Sequence, residues 1–505
     1  MKQMSATLAV TAAFSIAVAG GSSSAAGANQ TRLPLRTSGR AAFPWTRQRV
    51  PSNRRPQVTP SPCAGVTGSD SFVGETGNNG SGQSNFAGGQ FSAVLGGIYN
   101  QSCDMGSAVG GGNTNRIGNN GNAFDSFIGG GTFNGILSDE AAIGSGLENL
   151  VEGTYGFIGG GEFNVAGGTA AVVGGGEGNY ATGNGSVLDG GGYSFVNAGG
   201  GGAANQVTGT DSFLGAGDQN NVDAAQSAIV GGSANTVGSS ATQSFIGSGS
   251  SNTTSSEGSF IGSGGINSIS SVATYSAIPG GYQNVVSGPY ASILGGFGNT
   301  ISGSYAAIAG GRNNTAAGEL SFAAGYHADA VNNGSLVWSD YSAGSALVKD
   351  TVKNEFVARA SGGVIFYSNE GATTGVQLSP GEGTFASLSD RNAKTNIVPL
   401  DDASILAKVD ALRVERWSYK SDTSVRHVGP MAQDFYAAFG TGVDDRHITS
   451  IDEDGVALAA IKALDEKLIE VRASEHRKDM EIGRLRANFA ALSARVDALA
   501  NTHRR

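Results

Sequence analysis

Ser389 and Lys394, five residues apart, are the pair in this chain whose types and spacing suit nucleophilic chemistry. A serine hydroxyl is a weak nucleophile until a base takes its proton, and a lysine serves as that base when burial or neighbouring cations favour its neutral form. Five residues permit contact across a turn or a short loop. The pair lies in Ser387-Leu388-Ser389-Asp390-Arg391-Asn392-Ala393-Lys394-Thr395-Asn396-Ile397, where Arg391 could hold Lys394 neutral or orient the chain. Spacing alone leaves a second reading open, because Ser-Asp followed by polar residues is also an ordinary turn or helix N-cap. Elsewhere such residues are sparse. Two cysteines and five scattered histidines make no recognisable metal set, and no cofactor is expected. No paired carboxylates stand out as a glycosidase site.

Four blocks in order add weight to the first reading. They are Ser389-Asp390 with Lys394-Thr395-Asn396-Ile397, then Arg416-Trp417-Ser418-Tyr419, then His427-Val428-Gly429-Pro430-Met431-Ala432-Gln433-Asp434-Phe435, then the run from Asp454 to Leu464. Together, from about Gly381 to Val471, they resemble the C-terminal intramolecular chaperone of endosialidase and phage tailspike proteins, a family of autoprocessing peptidase domains. The resemblance implies a cut between Leu388 and Ser389 by a Ser389–Lys394 dyad, once per molecule. Asp390, Arg391, His427 and Gln433 become supporting candidates, although a histidine beside a Gly-Pro turn also suits a structural role. One departure stands out: many relatives carry Arg three places after the serine, where this chain has Asn392 with its Arg at position 391.

The elements that must carry this motif fall into two regimes. From about Ser92 to Tyr341 a unit Ser/Ala-x-Ile/Val-x-Gly-Gly/Ser-x-x-Asn recurs about every fifteen residues, as in Ser126-Phe127-Ile128-Gly129-Gly130-Gly131-Thr132-Phe133-Asn134. One or two apolar residues per short strand point inward, and Gly and Asn turn the chain through positive φ. No single unit buries its own face, so the units must stack. The period resembles the head of trimeric autotransporter adhesins, a parallel β-roll in which three chains pack side by side, and Gly334-Ser335-Leu336-Val337-Trp338-Ser339-Asp340 resembles the end of such a head. Alternating stretches at 355–359, 363–367 and 375–378 predict a short β connector over 342–388. Beyond the motif, short helices are expected at 403–409 and 432–439 around a Trp417/Tyr419 strand. Apolar residues at heptad spacing from Ile461 to Leu499 predict a coiled coil over about 456–500, interrupted by Glu475 and Lys478. A helical hairpin folded onto its own domain is the alternative.

The ends and the composition bound the rest. The chain of 505 residues holds 82 Gly and 8% aromatics, which argues against an ordinary globular core over most of its length. A net charge of −10 leaves no broad basic field for nucleic acid. Residues 1–19, with Lys2, an apolar run and Ala17-Val18-Ala19, resemble a secretory signal, and the run is too short to span a bilayer. No later segment predicts an integral membrane span. Residues 20–62 are an Arg-containing linker, and the repeats open at 63. Cys63 and Cys103 are compatible with a disulfide in an exported protein.

The expectation is a mostly β protein: a trimeric parallel β-roll or β-solenoid head at 63–341, a connector at 342–388, and a small α+β chaperone domain at 389–505 ending in the coiled coil. Its function would be that of a secreted or surface homotrimeric fibre or adhesin that cleaves itself after assembly. The alternatives are an uncleaved adhesin with the domain kept as stalk, and a phage-like tail fibre whose head binds a surface glycan.

Overall fold

The computed structural model describes residues 63, 68–74, 84–118, 122–192, 205–342, 344 and 346–502. The expected signal segment and linker lie outside the described residues.

Within the repeats each turn contributes two strands of two residues and one isolated bridge, all pairing in parallel with the turns above and below. In the unit quoted above, Phe127–Ile128 and Gly135–Ile136 are the strands, and Thr132 bridges Asn113 and Leu147. Alternation sends Ile128 and Ile136 inward, both fully buried. Gly131 sits at φ 99°, and a Cβ there would lie 2.2 Å from the carbonyl oxygen of Gly146 in the next turn, so this corner requires glycine. One ladder runs Phe127, Ala142, Phe157, Val172, Val187 in 15-residue steps, and longer steps such as Ala228 to Phe245 keep the same pairing. The result is a parallel β-solenoid with a continuous core of Ile, Val, Leu and Ala.

The repeat asparagine has an inward role of its own. Asn149 is fully buried; its Nδ2 donates to Asn134 Oδ1 at 3.0 Å and to the Gly161 carbonyl at 2.9 Å, while its backbone N–H donates to Asn134 Oδ1 at 3.1 Å. Repeated from Asn85 to Asn314, the pattern satisfies polar groups that the tight corners would otherwise bury unpaired. Cys63 is joined to Cys103 by a disulfide with Cα atoms 5.6 Å apart, tying the start of the region to its early turns.

The parallel ladder does not stop at 341. Phe356–Arg359 pairs in parallel with Leu336–Ser339, and Val348–Lys349 with the strand Ala328–Ala330. These last strands lack the Gly-Gly and Asn corner of the repeat, so the sequence pattern assigns them to the connector although their backbones continue the stack. Asp340 fastens this end, accepting from Ser342 and Ser361 through both N–H and Oγ and from Arg359 Nε at 3.2 Å.

An antiparallel sheet of Val364–Tyr367, Gly375–Leu378 and Ala386–Ser387 follows. Then come a 3-10 turn (Arg391–Ala393), helix α1 (Asp402–Ala411), a hairpin of Glu415–Tyr419 and Asp422–Gly429, helix α2 (Ala432–Phe439) and helix α3 (Ser450–Thr502). Asp401 caps α1 by accepting from Ser404 N–H, and Gly440 at φ 65° ends α2. Ala459 and Ala460 of α3 pack on Ile405 of α1, and Lys462 pairs with Asp402. Helix α3 is uninterrupted over 53 residues, which leaves no room for the helical hairpin. Its heptad residues are exposed in the single chain, Leu485 at 59% and Phe489 at 73%.

Candidate functional site

The chain approaches the Ser389 motif in strand form and leaves it in a turn. Leu388 N–H donates to the Gly375 carbonyl at 3.0 Å, so the residue before Ser389 extends the three-stranded sheet. Immediately after, Asp390 Oδ1 accepts from Asn392 N–H at 2.9 Å and from Asn392 Nδ2 at 3.2 Å, capping the 3-10 turn. Lys394 N–H closes the turn on the Arg391 carbonyl at 3.2 Å. Folding the backbone back by one turn carries the lysine to the serine: Lys394 Nζ donates to Ser389 Oγ at 2.5 Å. A five-residue spacing makes this contact only because the turn is tight, and Asp390 holds it.

Both side chains of the pair are exposed, as are Asp390 and Arg391. Asp390 thus serves as the N-cap of the turn, and Ser389 and Lys394 touch across it. The Leu388–Ser389 bond lies where the sheet hands over to the turn. Residues 389–444 match the family model described as chaperone of endosialidase. The match begins at Ser389 itself and takes in the 3-10 turn, α1, the hairpin and α2; the solenoid and α3 lie outside it. No curated protein matches the chain.

The supporting candidates of the chaperone segment are spread over its elements. His427 is on the second hairpin strand, stacked on Trp417 with ring centroids 4.7 Å apart and edge-on to Tyr419 at 5.5 Å. Gln433 is exposed in the first turn of α2. Among the described residues the ring contacts of His427 are those of a small aromatic cluster, the structural role that its Gly-Pro neighbourhood also suits. Cys63 and Cys103, bonded to each other, belong to the solenoid. Among the described residues no group of three or more His, Cys, Asp or Glu could hold a metal ion, and no helix is long and apolar enough to cross a membrane.

One feature beside the motif has no signal in its spacing. A groove of about 480 Å³ lies between the three-stranded sheet and the start of α3, lined by Phe366, Tyr367, Val376, Ser387, Thr449 and Ile451. Sequence reading places Phe366 and Tyr367 on a strand but does not bring residue 387 to residue 450. The sheet and α3 meet only in the folded chain.

Proposed function

We propose that the chain is the subunit of a trimeric extracellular or tail-fibre-like protein, that its C-terminal segment is the intramolecular chaperone that brings three copies together, and that this segment then cuts itself off before Ser389. The observation that carries the reading is the 2.5 Å contact between Ser389 Oγ and Lys394 Nζ, at the first residue of the family match.

In the proposed reaction Lys394, as the neutral amine, takes the Ser389 hydroxyl proton while Oγ attacks the carbonyl carbon of Leu388. The Leu388–Ser389 C–N bond breaks, and Lys394 returns the proton to the departing amine of Ser389. The acyl group then sits on Oγ as an ester. Water hydrolyses it, leaving a carboxylate on Leu388 and a free hydroxyl and amine on Ser389. The exposure of the pair in a single chain fits a reaction that waits for assembly, since a lysine base needs burial or neighbouring cations that additional copies supply. The solenoid supports the fibre, and the exposed heptad face of α3 supports association of identical helices. The Cys63–Cys103 bond accords with export to an oxidising compartment.

A second reading keeps the segment attached as a stalk of a surface adhesin, with the dyad silent. It is favoured by the same exposure and by Asn392 at the position where the resemblance calls for Arg. Intact mass and an SDS gel of the purified chain beside Ser389→Ala and Lys394→Ala separate the two. The first reading expects a wild-type fragment beginning at Ser389, with both variants slowed at least about 100-fold, the scale of a lost general base. Wild type that stays whole after trimers form leaves the stalk. A glycan ligand for the head would need a separate binding experiment with surface polysaccharide.

A further inference from the structure

The stretch from Ser389 to Lys394 carries three charged side chains, Asp390, Arg391 and Lys394, all of them exposed. Opposite charges four residues apart on one turn of chain are near enough to pair. Yet among the described residues none of the three enters an ion pair; the pairs that form, Arg359–Asp340, His447–Asp444 and Lys462–Asp402, lie elsewhere. Lys394 Nζ goes to Ser389 Oγ, and Asp390 is taken up by Asn392. Its Oδ1 accepts twice from that residue, from the backbone N–H at 2.9 Å and from Nδ2 at 3.2 Å. The backbone bond alone makes the cap. The second bond, from a side chain, ties the same carboxylate oxygen down at a further donor. This matters for the base, because a carboxylate beside a lysine favours its protonated form, which has no lone pair to take a proton. In the assembled, drier site that self-cleavage requires, such a contact would hold the proton more firmly than in water.

We propose that Asn392 is a positioning residue for the cut before Ser389: by holding Asp390 to the start of the turn it keeps that carboxylate off Lys394 and leaves the lysine to the serine. The proposal rests on the self-cleavage reading above and gives a task to the residue at which this chain departs from the resemblance. The residue type suits the task. An amide is neutral, so it engages the carboxylate without adding a further charge to the turn. As the middle residue of the turn Arg391–Ala393, it reaches its acceptor two residues back. Arg391 stands next to Asp390 and makes no ion pair with it, so the amide does what the neighbouring guanidinium does not. Among the described residues Asn392 bonds to neither Ser389 Oγ nor Lys394 Nζ, and it acts on the pair only through Asp390.

The test follows the loss of full-length chain in the trimer fraction from about pH 6 to 11, across the titration of a lysine. The full chain is made by cell-free translation as wild type, Asn392→Ala, Asn392→Arg, and Asn392→Ala combined with Asp390→Asn; sedimentation measures the trimer of each. Asparagine caps a turn as well as aspartate, so the double variant differs from Asn392→Ala essentially in charge. Asn392→Ala is expected to move the rising limb of the pH–rate profile up by at least about 1 unit, slowing the cut about tenfold at pH 7, with rates that converge on wild type at high pH. The double variant is expected to return to the wild-type profile. Asn392→Arg should recover it too, because a guanidinium can hold the same carboxylate. An Asn392→Ala profile that does not move overturns the proposal and leaves self-cleavage standing. So does one that falls equally at every pH without recovery by Asp390→Asn, or an Asn392→Ala chain that forms no trimer, since either shows a merely structural role. Wild type that stays whole in the trimer at every pH overturns the self-cleavage reading and the proposal with it.

Discussion

The residues that matter most here work through short polar turns. Asp390 shapes the loop that brings Lys394 to Ser389, and Asp340 does comparable work where the solenoid ends. Hydrogen bonds from Ser342 Oγ and from Ser361 hold the Asp340 carboxyl well below the usual carboxylate range, outweighing what desolvation adds. A carboxyl depressed on folding stabilises the protein above its unfolded pKa, near 3.9, and that contribution is lost as pH falls through the folded value. Asp340→Asn is therefore expected to lower the unfolding temperature at pH 7, and its deficit against wild type should shrink as pH falls from about 4 toward 2. Circular dichroism melts across that range check the sign; a deficit that grows on acidification would show that Asp340 is not the group responsible.

At the scale of elements, the asparagine ladder and the apolar core hold the solenoid together from inside. Asn267 Nδ2 donates to Asn252 Oδ1 at 3.0 Å and to the Gly281 carbonyl at 2.9 Å, and its own Oδ1 accepts from Asn284 Nδ2 at 3.1 Å. Asn267→Ala strands donors and acceptors in two neighbouring turns. The expected cost is about 2 to 5 kcal/mol, from about 1 to 3 kcal/mol for each buried group left unpaired. Exposed Thr300→Ala, as control, should stay within about 0.5 kcal/mol of wild type. Denaturant midpoints of the two variants decide the point: equal midpoints would mean that water reaches the ladder. The same regularity explains why elements were readable one by one. Strands at 356–359, 364–367 and 375–378 and the helices at 402–411 and 432–439 follow from local alternation and caps. That Phe356–Arg359 belongs to the solenoid did not, because stacking is a contact between residues twenty apart with no corner motif to announce it.

At the scale of the whole molecule, a stack of turns that each depend on their neighbours assembles slowly and is exposed to misregister, so a removable alignment device at one end has a physical use. Under the proposed cut before Ser389, loss of the segment would make stability a matter of unfolding rate. The cleaved fibre, denatured in guanidinium and diluted, should therefore fail to recover its oligomer, whereas uncleaved Ser389→Ala chains should recover it. Yields measured by SDS-resistant oligomer on a gel test this, and equal recovery would remove the chaperone from the account.

The sequence by itself determined the period, the inward set exemplified by Ile128 and Ile136, the corners that need Gly, and a serine and lysine near enough to meet. Each of these is local, dictated by alternation, by φ, or by five residues of chain. Only the tertiary structure decided where the repeat asparagines point, that Cys63 reaches Cys103 across forty residues, and that the sheet before Leu388 faces the start of α3. Those are relations between turns, set by the register of stacking, and no single turn contains them.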